Sequence, residues 1–277
     1  MDETFSSIDL ITECLSDTER TAALVKAIER AVKTGDIVLD CGTGSAVLAL
    51  AAARAGAKKV ISLEFDPYVA MLAKENVRRN GFENIIEVVL TDARAINFPE
   101  GTRFDVVIME MLTTGMVDEY QVWAMNNLYR NSAVDPDTRF IPNRQDTYVA
   151  LSNEDFEIEG FNMRMVRHLW SWLPNKKIAF FTKKELLNSI SFKRENDVNF
   201  KATLSFPVIK SGVVNSIYLS SVTTLDEKSE LGDTLALNAP IAFPLENDIA
   251  VKKGDTVKLE ISYVFGNGYR NLKVVIL

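Results

Sequence analysis

Val38-Leu39-Asp40-Cys41-Gly42-Thr43-Gly44-Ser45-Ala46 is an apolar run that ends in an acid and then breaks into closely spaced glycines, and the alanine-rich run Val47 to Ala55 follows it. The change of pattern reads as a strand, a tight turn and a helix, the plan on which open α/β sheets hold a ligand at the carboxyl end of a strand. Gly42 and Gly44 let the backbone approach such a ligand closely, and the free amides at the start of the helix face its polar part.

Working outward, the chain alternates. Residues 4 to 33 have apolar positions at three- and four-residue intervals and read as helical, with Asp17 placed to cap the second half and Thr34-Gly35-Asp36 ending it. Strand Ile37 to Cys41, helix Val47 to Ala55, strand Lys59 to Glu64, helix Pro67 to Asn80 and strands Ile85 to Leu90 and Phe104 to Met109 follow. This alternation predicts a Rossmann-like, doubly wound parallel sheet. A further helix is expected from Val117 to Tyr129, and Pro136 to Pro142 completes this half. Beyond Asn143 the period changes. Short Val-, Ile-, Thr- and Phe-rich runs (Ile190 to Lys193, Val198 to Phe206, Val213 to Thr223, Val257 to Phe265, Leu272 to Leu277) are separated by turn signals and predict an antiparallel barrel or sandwich over 143–277. Phe161, Met165, Leu169 and Leu173 fall at four-residue steps, so a short amphipathic helix is expected there, within an insertion near 161–187.

The 277 residues are 47% apolar, enough for a folded globular protein. The acidic start Met1-Asp2-Glu3-Thr4 and the absence of a long apolar run lead to the expectation of a cytoplasmic protein with no membrane partner. Two cysteines, Cys14 and Cys41, make no disulfide framework, and the single His168 argues against a histidine-rich metal site. A net charge of −7 disfavours direct nucleic-acid binding and favours small molecules or basic protein segments.

Glu64 ends the second strand where an acid accepts bonds from a ribose hydroxyl. Ribose is common to NAD and S-adenosylmethionine, so a second feature must choose between them. Val47 occupies the third glycine position of a dinucleotide fingerprint and obstructs the close packing a pyrophosphate cofactor favours. The run Asp40-x-Gly42-x-Gly44 instead resembles motif I of class I S-adenosylmethionine-dependent methyltransferases. That resemblance implies S-adenosyl-L-methionine as cofactor, with Asp40, Gly42, Thr43 and Gly44 around its amino-acid part, Glu64 at the ribose, and Asp92 and Ala93 near the adenine. Ala46 stands where many members have a third glycine.

Glu110 leaves the fourth strand beside the expected methyl group, and Glu119 is expected to open the next helix. Paired acids in a hairpin loop suit a planar guanidinium, which donates in a fixed fork to carboxylates. Their spacing resembles the double-glutamate loop of protein arginine methyltransferases. Leu15 to Thr21 is similar to that family's cofactor lid, which implies that Arg20 binds the cofactor carboxylate. Phe140-Ile141-Pro142 and Val251 to Asp255 resemble its linker and a late turn of its barrel. The resemblance implies methylation of arginine in a basic protein, with Glu110 and Glu119 holding the acceptor, Glu110 also touching the cofactor, and Asp17 matching the family's acid; a homodimer stays open. There are departures. The family's Thr-His-Trp loop is missing from Asp233 to Leu245, Met111 and Thr113 replace a tryptophan and a glycine, and the dimerisation arm is shortened. A lysine or small amine as acceptor, and a non-catalytic cofactor-binding role, are the alternatives these departures leave open.

Overall fold

The computed structural model describes residues 7–171, 178–235 and 237–277. Its first part contains α1 (Ile8–Ser16), α2 (Thr18–Ala31), β1 (Ile37–Cys41), α3 (Val47–Arg54), β2 (Lys59–Glu64), α4 (Pro67–Arg79), β3 (Ile86–Leu90), β4 (Val106–Met109), a 3-10 turn (Thr114–Met116), α5 (Gln121–Arg130) and β5 (Arg139–Ile141). The five strands form one sheet in the order β3-β2-β1-β4-β5, every adjacent pair parallel. Val38 pairs with both Val60 and Val106, so β1 is central and strand order reverses between β1 and β4. A ligand cleft belongs at the carboxyl ends of those two strands.

The second part contains β6 (Arg144–Asn153), β7 (Glu157–Ile158), β8 (Phe161–Asn162), β9 (Arg167–His168), β10 (Ala179–Phe180), β11 (Glu185–Ser191), β12 (Asn199–Pro207), β13 (Gly212–Thr224), β14 (Glu230–Leu231), β15 (Ile241–Val251), β16 (Thr256–Val264) and β17 (Lys273–Ile276). They form an antiparallel sheet β10-β6-β13-β15-β9, with β11 also on β6 and β14 on β13, a sheet β12-β16-β17, and the hairpin β7-β8. The long strands β6 and β15 carry no clean alternation that would have marked them: β6 buries four consecutive residues, Val149 to Ser152.

Three expectations are corrected. The described residues 161–171 contain no helix. Glu159 and Gly160 turn with positive φ (52° and 80°) and make β7 and β8 a hairpin, leaving Phe161 and Met165 69% and 63% exposed, so the four-residue spacing marks no buried stripe. Leu173 lies outside the described residues, and the described part of 161–187 is strand and loop rather than a helical insertion. Finally, α5 starts at Gln121, so Glu119 sits in the turn before the helix, because Gly115 and Met116 hold positive φ (70° and 53°) that no helix tolerates.

One buried cluster, including Leu24, Ala49, Ala52 and Ala73, joins α2, α3 and α4 to one face of the parallel sheet. A second continues from Leu39, Leu63 and Met109 on its other face through Val122 and Met125 of α5 to Val149, Phe206 and Leu259 of the antiparallel sheets. Among the described residues no helix is long and apolar enough to cross a membrane.

Candidate active site

The glycine turn after β1 is built against β2. Gly42 and Thr43 both donate to the Leu63 carbonyl at 2.9 Å, and Gly44 donates to Glu64 Oε2 at 2.9 Å. Glu64 Oε1 accepts from the amides of Phe65 and Asp66 at 2.9 and 3.0 Å, so this nearly buried carboxylate is oriented by backbone and faces the cleft. Gly42 has φ +72°, and a Cβ there would stand 3.0 Å from Met111 Cγ. Glycine is thus required twice over, by conformation and by space. Ala46 also adopts a left-handed φ of 68°, the position where one methyl is borne at a cost of about 1–2 kcal/mol.

Asp40 stands behind this turn and does not line the cleft. Its Oδ2 accepts from Thr43 Oγ1 at 2.5 Å and Ser62 Oγ at 3.4 Å, and burial pushes its carboxyl up to about 6, against the Thr43 bond and with the Glu64 charge adding. It shapes the turn from within, and Thr43 meets the ligand space in its place. Asp92 and Ala93 line the far end of the cleft. Burial would raise the Asp92 carboxyl, but the fork of Arg94, with Nη2 at 2.7 Å and Nε at 2.9 Å, holds it below the usual range. Arg94 in turn lies 4.0 Å over the Tyr120 ring, closing that end with an aromatic wall.

Across the cleft stand the two acids. Arg20, in the first turn of α2, donates to Glu110 Oε2 and to the Cys14 carbonyl, the latter at 3.3 Å. Glu119 is buried, its Oε2 has no hydrogen-bond partner, and burial pushes its carboxyl up to about 8, against the pull of Arg20 and with Asp118 adding. A guanidinium of the chain itself therefore pairs with Glu110, and its charge also acts on Glu119. The loop between them is fixed from both sides. Gln121 Oε1 accepts from the Met111 amide at 2.9 Å, Tyr263 Oη donates to the Gly115 carbonyl at 2.9 Å, and Thr114 Oγ1 donates to the Ala239 carbonyl at 2.6 Å.

Asp17 does not line this cleft. Its Oδ1 caps α2 by accepting from the Arg20 amide at 3.1 Å, and its Oδ2 accepts from the Leu235 amide at 2.9 Å. The acid thus clasps the segment that lacks the Thr-His-Trp loop, through backbone instead of an imidazole. His168 lies on β9 opposite Ile241, stacked 5.2 Å from Trp170, with Nδ1 buried and unpartnered; burial lowers its pKa. It is outside the cleft lining. Residues the sequence did not single out complete the site: Tyr120, Thr234 and Asn238 line it, and Gln121 and Tyr263 brace its loop. For Tyr120, Gln121, Thr234 and Asn238 the only signal was position within the two altered stretches, 111–121 and 233–245; Tyr263, in the Val257 to Phe265 run, carried none.

The residues present suit a nucleoside cofactor with an amino-acid tail. A glycine turn without side chains, an oriented carboxylate at Glu64 and the cation Arg20 line one continuous cleft. Among the described residues no three His, Cys, Asp or Glu side chains form a metal cluster.

Residues 17–125 match the family model of ribosomal protein L11 methyltransferase (PrmA). The chain is 34% identical over 260 residues to an uncharacterised protein of Methanocaldococcus jannaschii, covering 94% of this chain and 93% of that one. It is 33% identical over 272 residues to an arginine N(omega)-methyltransferase of Streptomyces achromogenes, covering 90% of this chain and 74% of the relative. In fold it is similar to Trypanosoma brucei PRMT1, solved as an enzyme–prozyme heterotetrameric complex with AdoHcy, with a TM-score of 0.77 at 19% identity over 99% of this chain and 98% of that one. Arabidopsis thaliana protein arginine methyltransferase 10 gives 0.75 at 17% identity over 98% and 97%.

Proposed function

The chain belongs to the S-adenosylmethionine-dependent methyltransferases that resemble the arginine enzymes, and on that premise we propose that its methyl acceptor is a guanidinium nitrogen held between Glu110 and Glu119. The observation that carries this reading is the buried Glu119 Oε2 with no partner, facing the same cleft as Glu110. Ionising a buried carboxyl that has no donor is costly, and a planar cation with several N–H groups removes that cost at Glu119 while its fork also reaches Glu110.

S-adenosylmethionine supplies, when bound, a methyl group on a positively charged sulfur. Gly42, Thr43 and Gly44 give it backbone room, Glu64 offers an oriented acceptor for hydroxyls, Asp92 and Ala93 flank the far end, and Arg20 is the cation for its carboxylate. Glu110 then serves two groups, Arg20 on one oxygen and the acceptor on the other. Positioning of this kind accounts for up to about 7–11 kcal/mol of a transfer barrier. The nitrogen that gains the methyl must shed a proton; Glu119, whose carboxyl lies near 8 without a ligand, ionises when the cation arrives, and its Oε2 then takes that proton. Asp17, engaged on both oxygens, holds the lid against residue 235 instead.

The name of the Streptomyces relative specifies arginine, which supports a second reading of the same chemistry, free arginine in place of an arginine in a basic protein. Labelled methyl transfer to L-arginine and to an arginine-rich protein, followed by acid hydrolysis and identification of the product, tests both. Methylarginine is the expected product, abolished by Glu110→Gln with cofactor binding retained; label found on lysine alone removes the guanidinium reading.

A further inference from the structure

The segment where a histidine was sought presents a different side chain to the cleft. Asn238 is 3% exposed, yet it lines the same space as Glu110, Glu119 and Tyr120. Its backbone neighbours are fixed on two sides. Leu237 accepts from the Thr114 amide at 3.4 Å and Ala239 accepts from Thr114 Oγ1 at 2.6 Å, which binds the segment to the loop between the two acids. Leu235 is held by Asp17. Any movement of this loop therefore moves Asn238 with it.

The side chain is held less firmly than the backbone. Asn238 Nδ2 donates to the Gly232 carbonyl at 3.3 Å, and Oδ1 accepts from Gln145 Nε2 at 3.4 Å, the weak end of hydrogen-bond distances. Gln145 has a second acceptor, Thr223 Oγ1 at 3.3 Å, and its own Oε1 is buried without a partner. The Asn238 oxygen has a second lone pair beyond the one that Gln145 uses, and it is a neutral acceptor on the antiparallel-sheet side of the acid pair.

Resting on the guanidinium reading above, we propose that Asn238 is an acceptor-contact residue whose Oδ1 accepts an N–H that the two glutamates leave unpaired. A guanidinium carries five N–H donors in one plane, and with Glu110 Oε2 on Arg20 the two glutamates leave it three carboxylate oxygens. A carboxamide adds a further acceptor without adding a third negative charge, and it takes no proton. Proton removal then stays with the carboxylates, and Asn238 sets only where the plane of the acceptor lies.

The test is calorimetric titration of the full chain, with S-adenosylhomocysteine present, against L-arginine and an arginine-containing peptide. Asn238→Ala should weaken both guanidinium ligands on the order of tenfold, the loss of one hydrogen bond to a charged group, and leave S-adenosylhomocysteine affinity unchanged. Asn238→Asp keeps the Oδ1 acceptor and should restore binding. Gln145→Met removes only the support and should cost far less than Asn238→Ala. In turnover the Asn238→Ala defect should fall on KM more than on kcat. Guanidinium binding by Asn238→Ala equal to that of the unsubstituted chain overturns the proposal, as does an equal loss of guanidinium and S-adenosylhomocysteine affinity. If the unsubstituted chain binds S-adenosylhomocysteine but neither guanidinium ligand, the guanidinium reading fails and this inference fails with it.

Discussion

Glu119 ties chemistry to stability in one carboxyl group. Its folded value near 8 lies above the ordinary glutamate value of 4.5, because burial disfavours the charge. Below pH 4.5 the group is protonated whether the chain is folded or not, and it costs nothing. Between 4.5 and 8 the unfolded chain releases the proton and the folded chain keeps it, so stability falls as pH rises, and the fall levels off above 8. The full effect is on the order of 5 kcal/mol, with Asp40 adding a smaller fall between its ordinary 3.8 and about 6. In the absence of ligands, melting temperature should decline from pH 6 to pH 9, and Glu119→Gln should remove much of that slope while abolishing methyl transfer. A slope unchanged in the variant would show that Glu119 is not the group responsible. Methyl transfer in the unsubstituted chain should rise toward pH 8, the direction in which Glu119 becomes able to hold a cation. Asp17 gives the opposite case. Asp17→Ala removes a helix cap and the Leu235 bond and should cost about 1–2 kcal/mol of stability in chemical denaturation. Asp17→Asn, which keeps one carbonyl acceptor, should retain turnover, since Asp17 lies outside the cleft lining; loss of turnover with stability kept would return the catalytic role to it.

At the scale of elements, the site is a strand-end turn facing a braced loop. Tyr263 Oη ties that loop to β11 by donating to the Gly115 carbonyl and accepting from Asn188 Nδ2 at 2.6 Å. Tyr263→Phe leaves both groups buried and unpaired and should cost about 1–3 kcal/mol in denaturant unfolding. It should also raise the acceptor KM with little change in cofactor affinity, because the turn at 42–44 has its own supports. The turn was legible in the sequence since its chemistry is local: a positive φ at Gly42 calls for glycine, and period two followed by period 3.6 marks the strand and helix on either side. The loop was legible in its two acids and not in its geometry. Whether residues 114–120 begin a helix depends on Tyr263, Ser221 and Ala239, all more than a hundred residues away in sequence. A separation of 90 residues likewise hid the partner of Arg20, placed opposite Glu110 by the break at Asp17, and Asn238 was left as one polar residue in an altered stretch. The hairpin at 157–162 misled for a related reason, because regular apolar spacing predicts a helix only when something buries the stripe.

The whole molecule changes architecture between Ile141, which ends a parallel strand, and Arg144, which begins an antiparallel one. Hydrophobic contact does not change there. One buried cluster runs from Leu39 and Met109 through Met116, Val117 and Val122 to Phe192, Ile217 and Leu259, so the face of the parallel sheet opposite α3 is covered by α5 and, continuous with it, by the second part of the chain. Trp123 Nε1 adds a donor from α5 to the Phe265 carbonyl at 2.6 Å across the same junction. We propose that residues 1–142 and 143–277 are two architectures and one cooperative unit. Each buried leucine or valine uncovered by separating them forfeits about 1.5–3 kcal/mol, and total stabilities of ordinary proteins are only about 5–15 kcal/mol. Calorimetry of the full chain should therefore show one transition with equal calorimetric and van't Hoff enthalpies, and residues 1–142 expressed alone should lack near-ultraviolet circular dichroism and fail to bind S-adenosylhomocysteine. Two resolved transitions, with a fragment that binds, would mean that the loop from Glu110 to Glu119 is held by its own half. The acceptor site would then not depend on the antiparallel sheets for its shape.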